Sequence, residues 1–292
     1  ALLYAPLSVA EDQGLSADEM FEEAPAQTNT LSIDELTESA PPASQDAPPL
    51  ATADEVINRV NAVPEGAFVS RRIQMSMTDR RGKQRSRATV SYRKNYDDQK
   101  RTVLYFLEPA NVRDTGFLIW DYSDVERDDD QWLYVPALRK VRRISASDRG
   151  DYFLGTDFTY EDMKLDGKLD PRDYGFSLLG LEEFNGVESY AIEGTPKNDD
   201  VAKELGYSRT ISWVNPGNWM IVGAKFWDLK GQELKVLTVP DIRKTGGIWT
   251  RHKLQLENLQ TGHKTEFVIS DVDYASEVTD DMFTKSALER GR

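Results

Sequence analysis

The chain has 292 residues, no cysteine and a formal net charge of -14. That length allows one large β domain or two small ones and is ample for a sizeable core. The missing thiol excludes disulfides, Cys-ligated zinc, iron–sulfur clusters and a cysteine nucleophile, and the charge balance excludes the basic face of a nucleic-acid binder. The acidity is uneven: residues 1–50 hold 10 acids and no Lys or Arg, which leaves 40 acids against 36 bases in the remainder.

In chain order, residues 1–10 (ALLYAPLSVA) are apolar and end Ser8-Val9-Ala10 before Glu11-Asp12. They read as a signal-peptide remnant with a small-x-small cleavage site, which implies export. Residues 11–50, acidic and rich in Ala, Ser and Pro, bury too little apolar surface to offset their ordering entropy and read as a disordered leader. The folded domain is expected over residues 51–292. It starts with a helix capped by Thr52, with Val56, Ile57, Val60 and Val63 as its stripe and Pro64-Glu65-Gly66 as its stop.

From Phe68 onward the pattern is β. Ala67, Val69, Ile73, Met75 and Met77 alternate with polar residues as one half-buried strand. The next strand is expected to turn Ala88, Val90 and Tyr92 inward and Arg85, Arg87, Thr89, Ser91 and Arg93 outward. Residues 100–108 and 115–122 are apolar on both faces, so both sides of that part of the sheet are covered. Asp128-Asp129-Asp130 reads as a solvated turn into residues 132–135, a strand that Pro136 ends because it has no amide to give a ladder. Five cations follow in eleven residues: Arg139, Lys140, Arg142, Arg143 and Arg149. Gly150 and Gly155 then bracket Tyr152, Phe153 and Leu154. Strand, basic hairpin and apolar flap between glycines suggest either a lid over a pocket or an ordinary hairpin followed by a connector that packs on the core, with Asp157 capping a short helix that carries Glu161 and Asp162. Gly167, Pro171 and Gly175 mark a loop. Further strands are expected at 184–194, 208–214, 219–229, 233–242, 248–258 and 264–272, and a short helix at 279–288. Roughly eleven strands joined by tight turns predict a mainly β fold: a single large antiparallel sheet, short helices and a lid.

Little in the sequence carries chemistry. His252 and His263 lack partners at metal-ligand spacing. Residues 175–180 (GFSLLG) are one residue too long for a nucleophile elbow. No glycine-rich loop opens a helix after a strand. No catalytic residue, metal or cofactor is implied, and the chain is not expected to be an enzyme. What remains is six Trp, twelve Tyr and eleven Phe, concentrated on strands. A sheet that curls without closing leaves an apolar concave face to be covered by helices or filled by ligand. The expected cavity lining is Val90, Tyr92, Phe106, Trp120, Trp132 and Tyr134, closed by Tyr152, Phe153, Leu154 and Phe158. Arg139, Lys140, Arg142 and Arg143 form the expected docking or headgroup-contact surface, since Arg forks pair well with phosphate and carboxylate.

Residues 131–144 (QWLYVPALRKVRRI), the 155–163 run (GTDFTYEDM) and a late Asp280-Asp281-Met282-Phe283 carry a resemblance over about residues 53–288. The chain resembles the LolA-like outer-membrane lipoprotein-sorting protein superfamily, and within it the periplasmic branch associated with RND-type exporters. The resemblance implies a half-open antiparallel barrel with helices on its concave side. It also implies carriage of lipid or acyl-chain cargo through the periplasm of a Gram-negative bacterium without catalysis. An RND-type exporter's periplasmic domain is the implied partner, with peripheral membrane contact. In lipoprotein carriers an Arg in a Lys-Arg-Pro run latches the lid; the corresponding segment here, Tyr92-Arg93-Lys94-Asn95, has no Pro. The alternative is a non-carrying interaction subunit of an exporter or envelope complex, with the same fold, a filled cavity and docking through the basic hairpin.

Overall fold

The computed structural model describes residues 51–124 and 126–291. The expected signal remnant and acidic leader lie outside the described residues.

Helix α1 (Ala53–Asn61) forms where the sequence places it: the Thr52 hydroxyl accepts from the Glu55 amide, and Val56, Ile57 and Val60 are buried. Six strands follow: β1 (Phe68–Thr78), β2 (Gln84–Asn95), β3 (Gln99–Glu108), β4 (Gly116–Tyr122), β5 (Asp130–Val135) and β6 (Lys140–Arg143). After the lid come helix α2 (Tyr160–Leu165), β7 (Tyr174–Phe184), β8 (Val187–Pro196), helix α3 (Asp199–Leu205), β9 (Arg209–Val214), β10 (Ile221–Trp227), β11 (Glu233–Thr245), β12 (Ile248–Asn258) and β13 (Lys264–Asp273). A 3₁₀ turn (Asp280–Phe283) and helix α4 (Lys285–Arg290) end the chain.

The thirteen strands of the described residues form one sheet in the order β6-β5-β4-β3-β2-β1-β13-β12-β11-β10-β9-β8-β7. Each strand pairs antiparallel with its neighbours, and β1 meets β13 in the middle. The edges β6 and β7 do not pair with each other, so the barrel is half open. Sequence order makes residues 144–173 the link between these two edges, and this link carries the lid and α2 across one face.

Pairing register sorts the side chains. Ile73 opposite Thr89, Thr89 opposite Phe106, Leu104 opposite Phe117 and Phe117 opposite Leu133 share the lid-side face. So do Phe267 and Ile269 of β13 and Leu254 and Leu256 of β12, and the lid's Phe153, Phe158 and Tyr160 pack into that core. The opposite face of β2–β5 carries Val90, Val103, Tyr105, Leu118 and Trp132, covered by Val278, Phe283 and Leu288 of the C-terminal segment. Helix α1 packs against β7–β10 through Val56, Ile57, Val60, Ile192, Val214 and Ile221.

Five expectations need correction. The strand count is thirteen, not eleven: β6 is a four-residue edge strand inside the basic hairpin, and β7 occupies part of what reads as a loop. A register shift between Leu178 and Gly180 breaks the alternation of β7. The β2 residues Thr89, Ser91 and Arg93 are buried toward the lid instead of facing outward. Asp157 caps nothing; Thr159 caps α2 in a reciprocal box with Asp162, while Asp157 accepts from Thr265 and pairs with His263. Asp129 is not solvated; Lys164 and Arg172 both donate to it. The 279–288 helix breaks at Thr284, which is extended and caps α4 by accepting from the Ala287 amide.

Candidate functional site

The lid reverses direction through two successive left-handed residues, Leu154 (φ 47°) and Gly155 (φ 80°). This turns Phe153 down onto Phe117 and Tyr160, at ring-centroid distances of 5.0 and 5.6 Å, and lets Phe158 stack on Phe267 at 4.4 Å. Beyond them α2 roofs a cavity of about 130 Å³. Its walls are largely apolar, among them Ile73, Phe158, Met163, Phe226, Leu254 and Phe267.

The roof is held by ions. Lys235, fully buried on β11, donates to the Asp157 carbonyl and the Asp162 carboxylate, both at 2.8 Å. Burial lowers its pKa, and Asp162 works against that shift. Lys164 donates to Asp129 at 2.8 Å and pairs with Glu161 at 2.6 Å. Burial opposes its charge, but the surrounding carboxylates raise its pKa above the ordinary lysine value. Arg149 joins Glu161 to Asp173, and Arg172 joins Asp129 to Asp170. Glu161, Asp170 and Asp173 lie close enough together to suit a metal, but Arg149, Lys164 and Arg172 already neutralise them.

The C-cap of α2 is the most heavily gripped group. Asp166 accepts from Arg71 of β1 at 2.7 Å, Arg251 of β12 at 2.5 Å and Arg93 of β2 at 3.4 Å. Arg251 also donates to the Asp166 carbonyl. Burial disfavours the charge, but the Arg71, Arg251 and Arg93 guanidiniums hold the carboxyl well below the usual carboxylate range. Gly167, at φ +87°, permits this approach, since a Cβ there would sit 2.4 Å from an Arg251 nitrogen. Arg93 further binds Glu65 through both its carboxylate and its carbonyl. The Arg93 segment therefore does contact the lid segment, without the proline of the family run.

None of the six residues expected to line the cavity borders it. Phe106 lies on the lid face beneath Phe153. Val90, Tyr92, Trp120, Trp132 and Tyr134 lie on the opposite face against the C-terminal segment, and the Trp120 indole donates to the Phe283 carbonyl at 3.0 Å. Strands apolar on both faces give no parity signal, so nothing in their sequence selects the face. Of the lid residues, Phe153 is buried, Leu154 half-buried and Phe158 borders the cavity, whereas Tyr152 is 44% exposed and its hydroxyl accepts from Asn258. In the basic hairpin Arg142 pairs with Asp148 and Arg143 with Asp130, each at 2.7 Å; Arg139 and Lys140 are exposed. The sequence reading missed Arg71, Arg251, Lys235, Asp162 and Asp166 as a set. One signal was present: Arg71 sits on the inward parity of its strand, between Val69 and Ile73.

A family model described as an uncharacterized protein matches residues 98–290. A DUF1329 family protein from Desulfovibrio piger is 31% identical, the match covering 80% of this chain and 96% of that one with a TM-score of 0.73. The chain belongs to the DUF1329 family. A protein domain from Vibrio parahaemolyticus assigned to outer-membrane lipoprotein sorting is 28% identical over 81% of this chain and 97% of its own, with a TM-score of 0.73. A LolA superfamily protein from Nitrosomonas europaea shares the fold at 19% identity and a TM-score of 0.60, over 81% of this chain and 99% of that one. This DUF1329 chain thus has the LolA-like fold. No curated protein matches the sequence.

Proposed function

We propose that the chain is a periplasmic carrier of lipid or acyl-chain cargo, without catalysis, and that it works beside an exporter of the RND type. The observation that carries the reading is the apolar cavity between the open sheet and a roof held by ion pairs. The Vibrio relative's assignment to lipoprotein sorting supports the cargo class. At about 130 Å³ the cavity is below the ~300 Å³ at which ligand pockets begin. Cargo entry therefore requires α2 and the lid to move. Residues 1–10 are read as the remnant of an export signal and residues 11–50 as an acidic leader.

Mass spectrometry of an organic extract of the purified protein tests this. A lipid is expected near one per chain, and Ala224→Phe, which adds bulk at the cavity wall, should abolish it while circular dichroism stays native. A lipid-free extract from a protein that also takes up no added lipid would refute carriage. The small cavity favours one rival, a non-carrying subunit that docks through Leu138, Arg139 and Lys140, with Leu138 72% exposed; that lipid-free result would support it.

A further inference from the structure

We propose that Arg71, Arg93 and Arg251 form a headgroup site for a phosphate-bearing amphiphile, whose tail enters the cavity under α2 and whose phosphate displaces Asp166. The proposal rests on the carrier reading and adds the chemistry of the cargo.

Three guanidiniums from three strands converge on one carboxylate, and Lys168, bound to the carbonyls of Val60, Asn61 and Val63, lies beside them. Glu65 and Asp166 supply only two negative charges against these four cations. The Nε atoms of Arg71 and Arg93 are buried without a hydrogen-bond partner, and Arg93 is only 4% exposed. Buried donors are almost always paired, so a cluster with spare N–H groups asks for more acceptor oxygens than Asp166 offers. A phosphate has them, and arginine forks match its geometry.

Position ties this cluster to the cavity. Arg71, Asp166 and Arg251 border both the apolar cavity and a polar cleft of about 50 Å³ that also includes Arg93, Glu65, Trp219, Trp249 and Tyr274. An amphiphile lying across that junction places its tail on Ile73 and Leu254 and its head on the arginines. Asp166 is the C-cap of α2. Exchanging its carboxylate for a phosphate unties α2 from β1, β2 and β12, so head binding loosens the roof the tail must pass.

The test titrates the full chain with dodecyl phosphate, dodecyl maltoside and inorganic phosphate, each below any micelle concentration, followed by tryptophan fluorescence. Wild type should bind dodecyl phosphate at least about tenfold more tightly than the maltoside, the scale of one charge-assisted contact, and inorganic phosphate far more weakly. Arg251→Gln should bring the two detergents level. Asp166→Asn should tighten dodecyl phosphate alone, and that ligand should restore the variant's lowered melting temperature where the maltoside does not. If Arg251→Gln does not fold, the wild-type and Asp166→Asn arms decide. Equal binding of both detergents, unchanged in Asp166→Asn, overturns the anion site and leaves carriage standing. Inorganic phosphate binding as tightly as dodecyl phosphate overturns the link to the cavity. Binding of neither detergent overturns this proposal and the carrier reading together.

Discussion

A single carboxylate, Asp166, joins three strands to the lid helix, and its titration is readable in stability. Its folded pKa lies below the ordinary aspartate value of about 3.9. Above roughly pH 4 it is ionised in both the folded and unfolded states and its stabilisation is complete. As pH falls below that, the unfolded chain takes up the proton first, and stability declines until the folded pKa is reached. Glu65, Asp129 and Asp170 are lowered too, each by neighbouring cations that outweigh burial. Urea unfolding from pH 7 to pH 3 should therefore show a steep acid loss. Asp166→Asn should flatten part of that slope and cost about 3–5 kcal/mol at pH 7, the usual result of breaking a buried ion pair. A variant as stable as wild type at pH 7 would show that the arginines rearrange at no cost. The sequence marked Arg71 by its inward parity, but a lone cation on a core face does not announce its partner. Asp166 is far away in the chain, and only the fold brings them together.

At the scale of elements, the lid was legible because glycines bracket an apolar cluster, and the structure gives each glycine a separate reason. Gly155 adopts φ +80° with open space around it, so Gly155→Ala should cost only the backbone strain, about 1–2 kcal/mol. Gly150 lies against the α3 backbone, where a Cβ would meet the Glu204 carbonyl oxygen at 2.7 Å and Leu205 at 2.8 Å. Gly150→Ala should cost more than Gly155→Ala, and the reverse order in thermal melts would contradict this packing. Proline does not fit at Gly155, since its φ near -65° is far from the φ of +80° held there. Phe153→Ala should lose about 3–5 kcal/mol of urea stability, whereas Tyr152→Ala, at a site 44% exposed, should lose less. What the sequence hid at this scale has two causes. Doubly apolar strands carry no parity signal, which sent Trp120 and Trp132 to the wrong face. A bulged edge strand loses its period of two, which concealed β7.

At the scale of the whole molecule, the fold class followed from turn spacing, while the strand order did not, because pairing of β1 with β13 leaves no local mark. That order puts the link between the two edges over the sheet's inner face and leaves the β5–β6 turn at one margin. There Leu138 is 72% exposed, Arg139 is held left-handed at φ 48°, and Lys140 is exposed beside it. Arg142 and Arg143 differ from these two because Asp148 and Asp130 already neutralise them. If this margin docks on an anionic membrane, the two pairs of cations must behave differently. Each unpaired cation near such a surface contributes about 1 kcal/mol. Arg139→Glu with Lys140→Glu should therefore weaken vesicle binding by more than about tenfold. Arg142→Glu with Arg143→Glu should weaken it less, because acids already offset those charges in the wild type. Binding of wild type should also fall as salt rises from 0.05 to 0.5 M, while both variants keep the wild-type melting temperature to within a few degrees. Sedimentation with vesicles containing anionic lipid measures all of this. Equal losses from the two pairs would mean that the vesicle senses net charge alone, and the turn would then have no claim to be the docking point.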